Sequence, residues 1–157
     1  MAQIDVSSII SPRPGRMGRR SAELLTTTLW AASSGAIVVS VSGEVDMITC
    51  VALRDRFVEQ LRLTHHLVVD LSEVSFLGAA GLTVLVEVRE MAQRTGTGLC
   101  VVACSRQVRC PLTITGLSDV LDLHLDVGEA LTCQYVSPPL SPAQLRLVHP
   151  RQSDDLP

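Results

Sequence analysis

The sequence predicts an α/β domain with a mixed, mostly parallel sheet of about five strands and about four helices that lie largely on one face. From residue 36 onward, short apolar runs alternate with amphipathic stretches of helical period. Gly, Ser and Thr clusters separate these segments, as turns do. A chain of 157 residues that is 46% hydrophobic can bury one core of this kind. We therefore expect a single domain over residues 23–136.

The first two segments are typical of an antiparallel hairpin. Leu24–Ala31 alternates weakly, Ala36–Val41 is apolar and β-branched, and Ser33-Ser34-Gly35 lies between them. This arrangement would place an edge strand first. Residues 42–46 then turn the chain, and Thr49 or Asp46 can cap a helix that runs to about Leu63.

The remaining segments alternate strand and helix. The strands are Leu67–Leu71, Leu99–Cys104 and Val120–Leu125, and the helices are Ala80–Arg94, a shorter one from Ser105 to about Thr115 that contains Pro111, and a turn or two over 126–131. Gly96, Gly98 and Gly116 are expected to stop the helices that precede them. Parallel strands need such crossovers, so the helices should cover one side of the sheet.

The two ends of the chain differ in composition from the middle. Residues 1–22 hold four Arg and one Asp among Ser, Pro and Gly, and residues 137–157 are Pro-rich with two Arg and two Asp. We expect both segments to be disordered. The chain's net charge is −3, so the middle, residues 23–136, carries −6. An acidic domain does not favour nucleic-acid binding, and without an apolar run of about 20 residues we expect no membrane insertion and a cytoplasmic protein.

Several segments together resemble the STAS family of anti-sigma factor antagonists. They are the runs VSGEVD at 41–46, VVDLSEVSFL at 68–77, Gly81-Leu82, Thr115-Gly116-Leu117 and Val120-Leu121. The resemblance spans residues 24–133 in the family's order. It implies a STAS fold and a bacterial switch in which the antagonist binds an anti-sigma factor, a histidine-kinase-like ATPase, and thereby frees a sigma factor. The kinase then resets the antagonist by phosphorylating a loop Ser or Thr.

The loop departs from the family's pattern at the residue that would accept the phosphoryl group. The family's loop reads Asp-Ser-Ser/Thr-Gly-Leu, and the matching positions here are Gly78, Ala79, Ala80, Gly81 and Leu82. Ala80 stands at the phosphoacceptor position and has no hydroxyl. The resemblance implies a partner-binding surface made of this loop and the turn near it, with these members: Glu44, Asp46, Ser75, Gly78, Ala79, Ala80, Gly81 and Leu82.

Five cysteines offer a second hypothesis. Their odd number and irregular spacing indicate reduced, largely buried thiols. Cys100 and Cys104 lie four residues apart on one predicted strand, about 13 Å, too far for a disulfide. Cys104 and Cys110 flank a predicted helix start and are candidates for a redox switch that replaces phosphorylation. The His and Cys spacing predicts no metal site, and His65 and His66 are expected in a surface loop.

Two functions remain open. The first is an anti-sigma factor antagonist without the usual phosphorylation switch. The second is an accessory STAS subunit of a transporter or sensory assembly. A catalytic role is not expected, because no nucleophile-and-base set or carboxylate pair surrounds the loop, and neither function requires a cofactor. The sequence leaves open whether the protein forms a homodimer.

Overall fold

A computed structural model describes residues 25–133. The predicted disordered segments, residues 1–22 and 137–157, lie outside this range. The elements in chain order are β1 Leu25–Ala31, β2 Ile37–Val45, α1 Cys50–Leu61, β3 His66–Leu77, α2 Ala79–Thr95, β4 Gly98–Val102, α3 Arg106–Ile114, a 3-10 turn Leu117–Asp119, β5 Leu123–His124 and α4 Val127–Thr132. None of the helices within the described range is long and apolar enough to cross a membrane.

The five strands form one sheet in the order β1-β2-β3-β4-β5. β1 pairs with β2 in antiparallel fashion, and the other neighbours are parallel. The predicted hairpin is confirmed: Gly35 adopts a left-handed φ of 85°, and the amide of Ala32 donates to the carbonyl of Ala36. The mixed, mostly parallel sheet and the edge position of β1 are therefore as the sequence predicts.

The central strand β3 contains two bulges. Its pairing with β2 shifts register between Ser40 and Ser42 and again between Gly43 and Glu44. At each shift β3 uses one more residue than β2, which leaves two successive side chains on the same side. The buried core positions of β3 are accordingly spaced by two and then by three: Leu67, Val69, Leu71, Val74 and Leu77.

The helices cover the two faces of the sheet unequally. α1, α2 and α3 pack on one face, where Phe57, Val88 and Leu112 are fully buried in the main core. The successive parallel strands advance in one direction across the sheet, so right-handed crossovers place their helices on the same side. α4 follows the last strand and packs its Ala130 on the opposite face, against Val68 and Val102. One helix thus covers the second face.

Several predicted boundaries are wrong. β2 extends to Val45 and β3 to Leu77, because parallel pairing between them continues through the segments that were assigned to turns. Asp70 lies inside β3 and not at its end. Its carboxylate accepts hydrogen bonds from the amide and hydroxyl of Ser72 and from the hydroxyl of Ser40, across the first bulge. β5 is reduced to two residues after the 3-10 turn.

Candidate partner-binding surface

The turn after β2 is held by Asp46. Its Oδ1 accepts hydrogen bonds from the amides of Ile48 and Thr49 at 2.8 and 2.9 Å, while the hydroxyl of Thr49 donates to the carbonyl of Glu44 at 3.0 Å. These bonds satisfy amides just ahead of α1 that would otherwise lack partners. The hydrogen bonds, that of the Thr49 amide foremost, hold the pKa of Asp46 below its usual value. Asp46 therefore fixes the turn ahead of α1 as an anion, while Thr49, the N-cap residue of α1, makes no side-chain capping hydrogen bond.

The loop after β3 is locked to the end of β2 by two glycines. The amide of Gly78 donates to the carbonyl of Val45 at 2.9 Å. Gly81 is buried, and a Cβ there would lie 2.7 Å from Cγ1 of Val45 and 2.7 Å from Cδ1 of Leu77. α2 therefore begins directly over the ends of β2 and β3, where a larger residue at position 81 would force Val45 and Leu77 to shift.

Ala80 is the second residue of α2 and is half-buried, and Ala79 before it is exposed. The first helical turn carries no acidic residue. Its amides point away from the helix and give this end a partial positive charge. The hydroxyl of Thr83 donates to the carbonyl of Ala79 at 3.1 Å, so this residue lies within the helix, as expected. Ala80, which the resemblance aligns with the family's phosphoacceptor, thus presents a methyl group at the start of a helix.

Exposed apolar side chains lie at this end of the sheet, and the apolar pattern of the sequence does not predict their exposure: Phe76 lies against Gly78, and Met47, Ile48 and Val51 lie in the turn after β2 and at the start of α1. Met47 is 81% exposed, Ile48 66%, Val51 60% and Phe76 52%. The second bulge of β3 explains Phe76: Ser75 and Phe76 both point outward, whereas strict alternation would turn Phe76 into the core. A change of apolar spacing from two to three along β3 was the signal in the sequence. We call these four side chains, together with Gly78–Leu82, the loop-end surface.

The remaining predicted members are placed near this surface by strand pairing. Glu44, half-buried, is the register partner of Phe76, and Ser75 is exposed at the bulge. Val45 pairs with Leu77, the residue before the loop. Behind the surface, an ion pair of 2.6 Å between Nε of Arg54 and a carboxylate oxygen of Glu87 links α1 to α2. The fold therefore brings the predicted partner-binding residues to one end of the sheet.

The two redox candidates lie elsewhere, beside α3. Cys104 follows β4 and precedes the helix, and Cys110 is the fifth of its nine residues, so only Cys104 adjoins the helix start. Both thiols are exposed and free, and they line one open groove with Arg106 and Arg109. The prediction of largely buried thiols is therefore wrong, since Cys100 alone among the five, all of which lie in the described range, is buried. Cys104 lies beyond the end of β4, not on the strand with Cys100. The prediction of a redox pair stays untested.

The sequence between residues 31 and 130 matches the family model for the STAS domain. The chain belongs to the STAS-domain family. Two similar proteins are named as anti-sigma factor antagonists. The chain is 36% identical over 110 residues to the anti-sigma-F factor antagonist RsfB of Mycobacterium tuberculosis, covering 69% of this chain and 88% of the relative. It is 30% identical over 87 residues to the anti-sigma-B factor antagonist of Bacillus subtilis, covering 55% of this chain and 80% of the relative.

Solved structures of STAS proteins confirm the architecture. An anti-sigma factor antagonist from Mycobacterium paratuberculosis aligns with a TM-score of 0.65 and 38% identity, covering 69% of this chain and 92% of the other. The unphosphorylated form of SpoIIAA aligns with a TM-score of 0.57 at 15% identity, covering 67% of this chain and 92% of the other. At this identity the similarity is one of fold alone. The predicted STAS fold is therefore confirmed.

Proposed function

We propose that this STAS protein is an anti-sigma factor antagonist that binds a kinase-like anti-sigma factor through the loop-end surface. The observation that carries the proposal is the exposed apolar patch at the start of α2, beside a loop held by Gly78 and Gly81. Exposed apolar groups gathered at one place are typical of protein-binding sites. The names of its relatives support the choice of partner.

The loop-end surface also supports the proposal that phosphorylation does not switch partner binding off. A phosphoryl group adds up to two negative charges and disrupts a contact that must be desolvated. Ala80 has no oxygen to accept it. Three hydroxyls lie near it in the sequence: that of Thr83 is engaged with a helix carbonyl, that of Ser72 with Asp70, and that of Ser75 is exposed but precedes the loop. We infer that the protein stays in its binding-competent form when ATP and the kinase are present.

A redox switch at Cys104 and Cys110 would supply a different control. Both thiols are exposed beside α3, and a bond between them would constrain the start of that helix. The test is intact mass with peptide mapping after mild oxidation, with Cys110→Ser as the matched variant. A loss of two hydrogens that maps to this pair, and is absent in the variant, is the expected result. Unmodified thiols after oxidation would refute it.

The binding proposal is tested with purified anti-sigma factors of the host. Isothermal titration calorimetry should give a saturable complex with at least one of them, and that complex should release its sigma factor. A chain that binds none of them would contradict the proposal. Recovery from the native host with a membrane transporter or sensory complex would instead identify the accessory-subunit role.

The proposed role requires no catalytic chemistry. The loop-end surface consists of glycines, alanines and apolar side chains, and of the two carboxylates near it, Glu44 and Asp46, the latter is committed to the turn. The small acidic domain suits a protein that acts by occupying a partner. Turnover of a phosphorylated substrate by the purified chain would contradict this part of the proposal.

A further inference from the structure

A cluster of metal-ligating side chains lies on the sheet face that α4 covers. Sγ of Cys100, a carboxylate oxygen of Asp122, Nε2 of His124 and Sγ of Cys133 all lie within 4.8 Å of one another. They come from β4, the segment before β5, β5 itself and the end of α4. The spacing of these residues in the sequence does not indicate a site, because Cys100 and Asp122 are 22 positions apart. The pairing of β4 with β5 brings them together.

Strand geometry explains why the side chains converge. Val102 pairs with His124. Cys100 lies two residues before Val102 on β4, and Asp122 lies two residues before His124, just ahead of β5, so the side chains of Cys100, Asp122 and His124 face the same way. Val102 and Cys100 belong to the small core under α4. Cys133 ends the helix that covers this core, and its thiol donates to Asp122 at 3.4 Å.

We propose that Cys100, Asp122, His124 and Cys133 form a Zn²⁺ site that ties α4 to the sheet. Both cysteine sulfurs lie 3.4 Å from Oδ2 of Asp122, and Nε2 of His124 lies 3.2 Å from its Oδ1. Ligand atoms around one Zn²⁺ are about 3.3–3.8 Å apart, and these three contacts are near that range, although they involve both oxygens of Asp122. The four ligand atoms lie within 4.8 Å of one another, so binding requires the Asp122 carboxylate to turn one oxygen toward the ion. Two thiolates with an imidazole favour Zn²⁺ over Mg²⁺ or Ca²⁺, which prefer oxygen ligands.

The imidazole of His124 gives a second observation. Its side chain is only 12% exposed, and its Nε2 has Asp122 as its neighbour at 3.2 Å but makes no hydrogen bond of good geometry among the described residues. A buried ring nitrogen that is poorly paired is costly, and coordination would remove that cost. His66 adds an outer contact: its Nε2 lies 3.3 Å from Sγ of Cys100. The prediction that His66 lies in a surface loop is wrong, since it begins β3 and is half-buried.

The site would be structural and separate from the loop-end surface. Its four ligands would complete the tetrahedral coordination of one Zn²⁺ ion and leave no position open for water or substrate, as in structural zinc sites. His66 and Leu77 lie at opposite ends of β3, roughly 35 Å apart at about 3.3 Å per residue. Zinc should therefore stabilise the domain without contributing to the partner contact, and this inference does not rest on the proposed function.

The test uses the full chain, expressed with zinc and purified under reducing conditions. Metal analysis should find one zinc per chain, and substitution with Co²⁺ should give the visible absorption of a tetrahedral thiolate site. Cys133→Ser should abolish both, while Cys104→Ser, which lies outside the cluster, should keep them. His66→Asn should weaken zinc binding about 10- to 100-fold, the usual effect of an outer partner.

Folding supplies a readout besides metal content. At free zinc about 100 times the Kd, the Tm of the wild-type protein should rise by about 5–10 °C, and that of Cys133→Ser should not change. Equal zinc content in wild type and Cys133→Ser would overturn the proposal. So would a disulfide between Cys100 and Cys133 in the protein purified without reductant and with zinc present, since the same sulfurs cannot then bind the metal.

Discussion

Replacing Phe76 by Ala should weaken binding of the anti-sigma factor about 30-fold. A Phe side chain can bury roughly 200 Å², and this one is 52% exposed, so roughly 100 Å² of ring is open to a partner. At about 25 cal/mol per Å², and less the area that Ala itself retains, the loss is about 2 kcal/mol. Each 1.4 kcal/mol corresponds to about tenfold in Kd.

The assay is calorimetric titration at fixed salt, with circular dichroism to show that the variant is folded. The buried half of the ring packs near Gly78, so we expect about 1–2 kcal/mol of lost stability as well. Leu125→Ala is the matched control, because Leu125 is 56% exposed and follows β5, away from the loop. A change of less than about threefold for Phe76→Ala, or an equal loss for Leu125→Ala, would refute the assignment of the surface.

Four further predictions test the loop and the turn. Gly81→Ala should cost about 1–3 kcal/mol of folding free energy in urea, because the new Cβ would meet Val45 and Leu77 at 2.7 Å; an unchanged midpoint would contradict this packing. Asp46→Ala should lower the free energy of unfolding by about 0.5–2 kcal/mol, because the carboxylate that holds the turn ahead of α1 is lost. A variant as stable as wild type would contradict this role of Asp46. The pKa of Asp46 in the folded protein lies below 3.8, so the difference in free energy of unfolding between wild type and Asp46→Ala should be constant well above pH 3.8. It should shrink as the pH falls through the folded pKa, and a difference that grows in acid would contradict this prediction. Ala80→Glu should weaken the complex about tenfold or more, because the carboxylate must be desolvated, yet leave the fold intact, since an acid suits the first turn of a helix; undiminished binding would show that Ala80 lies outside the contact.

Much of the fold follows from apolar periodicity. The hairpin, the order of strands and helices and the three crossover helices could be predicted because each depends on local patterns and on the handedness of parallel connections. Strand ends could not, because they depend on pairing. Residues 42–45 have the composition of a turn but continue β2, since β3 offers a partner as far as Leu77.

The candidate site was predicted in part. The glycine and alanine loop stands out in the sequence, whereas the exposure of Phe76 depends on a bulge that only the register with β2 specifies. No local sequence pattern indicates the proposed zinc ligands. Cys100 and Cys133 have no motif spacing, and Asp122 and His124 meet them only because a two-residue strand pairs with β4 and a final helix folds back over the second face.

We propose that the loop-end surface binds an anti-sigma factor and that phosphorylation cannot switch this binding off. The most direct measurement is binding of the wild-type chain and of Ala80→Ser to the cognate anti-sigma kinase, with and without ATP, followed by intact mass. We predict that ATP leaves the wild-type complex and its mass unchanged, while Ala80→Ser gains one phosphoryl group and dissociates. Phosphorylation of the wild-type chain with loss of the complex would contradict the claim.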